Sequence, residues 1–153
     1  MGDFNAGPGL TDANGLIGTD PILAQPGKRM LSSMTPTILA KDGELFMVIG
    51  SPGGRTIINT VLLTILNVID FGMNIQDAID FPRFHHQWLP DRIAAEKHGF
   101  SPDTIALLKQ RGHSVTESPF GQGVAEGIVW NKVDKVLEGG ADRRAPDGAA
   151  IGR

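Results

Sequence analysis

The sequence predicts a mixed α+β fold, and three observations carry that reading. First, Thr37-Ile38-Leu39-Ala40 and Leu45-Phe46-Met47-Val48-Ile49 are β-rich runs separated by Lys41-Asp42-Gly43-Glu44, the pattern of an antiparallel hairpin closed by an Asp-Gly turn. Second, a helical pattern runs from about 55 to 71. Third, the C-terminal third mixes one well-signalled helix with three short strand-like runs. With 153 residues, 41% hydrophobic and 20% charged, and no repeat or low-complexity tract, the chain fits one domain.

Each element has a local reason. Gly53-Gly54, after the second strand, lets the backbone turn sharply and lets peptide N–H groups approach a ligand closely. The helix that follows aims its N-terminal N–H groups and positive dipole end at the same place, so an anion is expected there: a phosphate, a carboxylate or a transient oxyanion. That helix carries Ile58, Val61, Leu62, Ile65 and Ile69 on one face, widened by Leu66 and Val68. Only Thr56, Thr60, Thr64 and Asn67 remain as a narrow polar stripe, and the helix is expected to be mostly buried. Gly72 stops it. A short helix over 74–80 follows, capped by Asn74 and ended before Pro82. Ser101-Pro102-Asp103 starts a third helix, which runs to Arg111 and is ended by Gly112. Strands are expected over 113–117, 123–130 and 136–138, the last two joined by a polar turn around 131–135. Residues 5 to 30, rich in Gly, Pro, Asn and Asp, read as an extended loop.

Composition removes several classes of function. Fourteen basic residues scattered among 17 acidic ones, net charge −3, form no basic stripe for nucleic acid. The longest apolar segment, 57–71, is broken by Asn59, Thr60, Thr64, Asn67 and Asp70 and falls short of a membrane span. Without cysteine there is no disulfide framework and no thiolate site. The first residues lack the charged and apolar regions of a signal peptide.

The glycine turn matches no nucleotide-binding pattern. A Walker loop needs Lys followed by Ser or Thr after its last glycine, where Arg55-Thr56 stands, and Pro52 removes one N–H from any phosphate cradle. Asp70 lies near the separation at which dinucleotide folds keep an acidic residue, but it falls inside the predicted helix. A serine-hydrolase elbow needs glycine two places before Ser51, and Ile49 sits there. His85 and His86, adjacent on a strand, face opposite ways and have no third ligand at metal-binding spacing, so structural roles are expected and no metal.

Several longer motifs then carry a family likeness. Lys28-Arg29, Leu31-Ser32-Ser33-Met34-Thr35-Pro36-Thr37, Gly50-Ser51-Pro52-Gly53-Gly54 and Pro82-Arg83-Phe84-His85-His86-Gln87-Trp88-Leu89-Pro90 stand in one order. Together the motifs resemble the small-subunit region of γ-glutamyltransferases, from Met1-Gly2-Asp3-Phe4 to Asp142-Arg143-Arg144 and Pro146-Asp147-Gly148. The resemblance implies a single partial domain over 1–153. It would be part of an N-terminal nucleophile hydrolase αββα sandwich lacking its first strands, with a sheet edge and an apolar face left uncovered.

In such enzymes a threonine freed by self-cleavage attacks the γ-glutamyl carbonyl, its own α-amine acting as base, and the acyl-enzyme passes the glutamyl group to water or an amine. Carried over by position, the resemblance makes Gly53 and Gly54 the oxyanion donors. It also makes Ser32 and Ser33 the partners of the substrate α-carboxylate, and Asp3 the partner of its α-ammonium. No cofactor is implied. The implied partners are the large subunit of the same precursor and a small γ-glutamyl substrate, in a periplasmic or extracellular setting. The family's threonine lies upstream of the segment matching Asp3, so Thr11 and Thr19 do not fill its role, and this chain alone is expected to be inactive. A glutaryl or cephalosporin-type acylase of the same fold and a non-catalytic module are the alternatives. For Asp142-Arg143-Arg144, a solvated charged tail stands against a clasp near the pocket.

Overall fold

The computed structural model describes residues 23–30, 32–118 and 121–152. The predicted hairpin is present as β1 (Thr37–Lys41) and β2 (Glu44–Gly50), paired antiparallel with Thr37 opposite Ile49. Asp42 and Gly43 both have positive φ, 55° and 80°, the conformation a two-residue turn needs to match the twist of its strands. Gly53-Gly54 then leads through a 3-10 turn, Gly54–Thr56, into α1 (Ile57–Ile69). Next comes α2 (Ile75–Asp80), where the Asn74 side chain accepts from the Asp77 amide at 2.9 Å. Two short strands, β3 (Phe84–His85) and β4 (Ile93–Ala95), precede α3 (Pro102–Gln110), which is capped by Ser101 as its sequence predicts. β5 (Val115–Glu117), β6 (Glu126–Asn131) and β7 (Val136–Ala141) complete the order.

The main sheet is antiparallel throughout, in the order β1-β2-β6-β7. A smaller sheet, β3-β4-β5, stands apart, with β4 and β5 parallel. The core lies between the main sheet and the helices, where Met47, Ile49, Ala125 and Val129 meet Val61, Ile75 and Ile79. The other face of the sheet stays apolar and open. Ile38, Val48 and Ile128 share one rung across three strands and are 74%, 39% and 46% exposed. Such a face is what an αββα sandwich buries against its second sheet.

α1 departs from the expected burial. Thr60 and Thr64, from the polar stripe, are 1% exposed, while Ile58, Leu62 and Ile69 of the apolar face are about half exposed. Val61 of that face stays in the core, and hydrogen bonding accounts for the burial of the threonines beside it. Thr60 Oγ1 donates to the Gln122 carbonyl, Thr64 Oγ1 to the Thr60 carbonyl and Asn67 Nδ2 to the Ala78 carbonyl, so the stripe is satisfied facing inward.

Candidate active site

Strand register gathers the site at one edge of the main sheet. Thr37 opposes Ile49, Gly50 opposes Glu126, and Glu126 opposes Ala141. The segments running off these four strand ends, 32–36, 51–54, 122–125 and 142–144, therefore leave the sheet at the same edge. Thr37, where the segment carrying Ser32 and Ser33 joins the sheet, is thereby placed beside the strand end that leads to Gly53 and Gly54. Asp3 lies outside the described residues. Ser32 Oγ is exposed and accepts from the Met34 amide at 3.2 Å, and the Ser33 carbonyl accepts from Thr35 Oγ1.

The glycine turn is held by its carbonyls. The Pro52 carbonyl accepts from the Val124 amide at 3.2 Å and from Ser51 Oγ at 2.6 Å. The Gly53 carbonyl accepts from the Thr56 amide at 3.2 Å and from Thr56 Oγ1 at 3.0 Å. In a planar trans peptide the N–H points opposite to the C=O. The Gly53 and Gly54 amides are accordingly turned away from these anchors, and no carbonyl among the described residues accepts from either. Glycine is required at Gly53, whose φ is 146° and where a Cβ would lie 2.8 Å from Gly123 Cα.

Behind the turn, 122–125 is locked in place by a buried ionic cluster that the sequence did not announce. Arg83, 2% exposed, donates from Nη1 to the Gln122 carbonyl (2.8 Å) and from Nη2 to Asp142 Oδ2 (2.7 Å) and the Ile79 carbonyl. Asp142 also accepts from the Ala125 amide at 2.8 Å and from Arg144. Glu96 accepts from the Gln122 amide at 2.7 Å and closes the cluster on Arg144. Of the C-terminal trio, Asp142 and Arg144 form the clasp, while Arg143 stays outside against Asp80. Arg83 falls within a motif of the family likeness, but neither its burial nor its partners could be read there. Glu96 carried no local signal at all.

The charges are mutually tuned. Burial by itself would raise the Asp142 and Glu96 carboxyls, yet bonds from the Arg144 and Ala125 amides and Arg83 at Asp142, and from Arg144, Gln122 and Arg83 at Glu96, hold both below the ordinary carboxylate range. The two arginines respond oppositely. Burial and repulsion by Arg144 lower Arg83 despite Asp142, whereas two carboxylates outweigh burial and raise Arg144. Depressed carboxyl pKa values stabilise the fold above the unfolded values of about 4, and that contribution is lost as pH falls through the folded ones. The denaturant midpoint should thus be flat from about pH 7 to 5 and drop steeply below about pH 4. In Asp142→Asn the drop should be shallower.

Two cavities flank the turn. One of about 630 Å3 is lined by Gly50, Pro52, Glu126 and Asp147 among others. The second, of about 280 Å3, is bordered by Gly53, Arg55, His85 and Arg92. Among the described residues no group of three His, Asp or Glu side chains could hold a metal ion. No helix among them is long and apolar enough to cross a membrane.

The α+β sheet layered by helices on one face belongs, by the solved structures it superposes on, to the class of N-terminal nucleophile hydrolases. The chain belongs to the gamma-glutamyltranspeptidase family, whose profile matches residues 1–152. It is 47% identical over 152 residues to the glutathione hydrolase proenzyme of Escherichia coli (strain K12), a match covering 99% of this chain and 26% of that protein. It superposes on the crystal structure of Helicobacter pylori gamma-glutamyltranspeptidase with a TM-score of 0.85 at 42% identity, covering 94% of this chain and 77% of that one. A cephalosporin acylase from Bacillus halodurans gives a TM-score of 0.73 at 28% identity, over 80% of this chain and 23% of that one. The chain therefore spans about a quarter of the length of its proenzyme relative.

Proposed function

We propose that this chain supplies the oxyanion and headgroup contacts of a γ-glutamyltransferase or glutathione hydrolase whose nucleophilic threonine and large subunit come from the rest of the precursor. The observation that carries the reading is the turn whose two carbonyls are tied down and whose Gly53 and Gly54 amides are left to donate. In the reaction the threonine hydroxyl adds to the γ-carbonyl of the donor and gives its proton to its own α-amine. The amine product then leaves with a proton, and water or a second amine takes up the glutamyl group. The carbonyl oxygen becomes negative at the tetrahedral stage, and the two glycine amides are the donors that meet it. Ser32 and Ser33 hold the α-carboxylate and Asp3 the α-ammonium of the same donor.

The uncovered sheet face and the outer face of α1 are the surfaces on which the remainder of a two-subunit enzyme would pack. A periplasmic or extracellular setting accords with this reading. The test is release of p-nitroaniline from a γ-glutamyl anilide. The 153-residue chain by itself should release none, and the complete processed enzyme should turn over. Release by the isolated chain, or none by the complete enzyme, overturns the proposal.

The superposition on a cephalosporin acylase supports a second reading, hydrolysis of a glutaryl or similar amide. Glutathione presents an α-ammonium for Asp3 and a glutaryl amide does not. Preference of the complete enzyme for the glutaryl amide would favour the acylase.

A further inference from the structure

The Pro52 and Gly53 carbonyls each accept from one backbone amide and one side-chain hydroxyl. At Pro52 the hydroxyl is Ser51 Oγ, 2.6 Å away, beside the Val124 amide. At Gly53 it is Thr56 Oγ1, 3.0 Å away, beside the Thr56 amide. Ser51 Oγ also accepts from the Val124 amide at 3.0 Å, so the hydroxyl is bonded to the turn on one side and to 122–125 on the other. Val124 stands between Gln122 and Ala125, whose amides end on Glu96 and Asp142. The buried charge cluster thereby reaches the turn at the Val124 amide, which Ser51 Oγ and the Pro52 carbonyl share. Two consecutive glycines have no side chain of their own to hold the turn, so its order has to come from these outside bonds.

We propose that Ser51 and Thr56 are positioning residues for the two oxyanion donors, one hydroxyl behind each peptide: Ser51 aims the Gly53 amide and Thr56 aims the Gly54 amide. The inference rests on the γ-glutamyl reading above. A peptide unit is planar, so fixing the direction of its C=O fixes that of its N–H. The Pro52 carbonyl shares a plane with the Gly53 amide, and the Gly53 carbonyl shares one with the Gly54 amide. A peptide held at its oxygen by a single amide can still tilt, and the second donor restrains that tilt. A hydroxyl proton on the oxygen also draws charge from the nitrogen, which makes the N–H a stronger donor. Both effects act where negative charge develops in the reaction, and neither acts on the headgroup contacts of the substrate.

The test uses the complete enzyme, a γ-glutamyl anilide as donor and two competitive inhibitors. One is norvaline, which has the headgroup and chain of glutamate without its γ-carboxyl. The other is the glutamate analogue with a boronic acid in place of that carboxyl, whose boron becomes tetrahedral and anionic when the threonine hydroxyl adds. Ser51→Ala and Thr56→Val should each lower kcat/KM and weaken the boronate by about five- to tenfold, the effect of one hydrogen bond, with inhibition by norvaline unchanged. Thr56→Ser, which keeps the hydroxyl, should recover most of the loss seen in Thr56→Val. Equal weakening of both inhibitors, no weakening of the boronate, or a Thr56→Ser enzyme as impaired as Thr56→Val overturns the inference while leaving the γ-glutamyl reading in place. Failure of the wild-type enzyme to release p-nitroaniline overturns that reading, and the inference with it.

Discussion

Gly53→Ala should lower kcat of the complete enzyme by about two to three orders of magnitude, the scale on which oxyanion donors act. The substitution keeps the amide but moves it. An alanine Cβ would lie 2.8 Å from Gly123 Cα and 2.9 Å from Thr56 Oγ1, at a φ of 146° that side chains avoid, so the turn must shift. The backbone of Gly123 has little room to yield, since Gly123 is itself packed against Ser51 and Thr60. Gly123→Ala is expected to act through the same contact from the other side, its Cβ falling 2.7 Å from both Ser51 Oγ and Thr60 Oγ1. Gly54→Ala meets nothing within 4 Å and has a φ of 59°, so it should cost only the backbone strain of about 1 kcal/mol and a much smaller loss of rate. Steady-state kinetics on the γ-glutamyl anilide orders the three. If Gly53→Ala keeps kcat within a few-fold of wild type, the assignment of this turn as the oxyanion site fails.

Asp142→Ala should destabilise the complete enzyme by about 3 to 5 kcal/mol, the cost of breaking a buried ion pair from one side. The Asp142 side chain is fully buried, and its loss leaves Arg83, 2% exposed, facing a void. It also strips the Ala125 amide of its acceptor, which loosens the segment behind the glycine turn. A combined Arg83→Met and Asp142→Leu replacement should cost less than Asp142→Ala alone, because no uncompensated charge remains in the interior. Denaturant unfolding of the three enzymes measures the order. A double variant less stable than Asp142→Ala would show that the cluster acts by geometry and not by charge balance.

The two experiments probe features of unequal visibility in the sequence. The glycine pair, the Asp-Gly hairpin and the caps at Asn74 and Ser101 are local, their partners standing within a few residues, so pattern alone located them. Arg83 and Asp142 are 59 residues apart, and Gln122 meets Glu96 across 26. Nothing in the spacing of such residues marks them as one cluster. The family likeness pointed to Ser32 and Ser33, and only strand register shows that Thr37, where their segment joins the sheet, stands beside the strand that leads to the glycines.

By itself, then, the sequence determined the α+β class, the hairpin, the helix caps and the glycine turn, because short-range backbone preferences and capping bonds act within a few residues. Tertiary structure decided which face of α1 goes inside and what holds the turn. Threonine hydroxyls bury when a carbonyl comes to meet them, and that carbonyl, at Gln122, lies 62 residues from Thr60. Charges in the interior persist only where opposite charges and amides converge on them, and that convergence exists only once the segments before β6 and after β7 meet Arg83 and Glu96 beside β3 and β4.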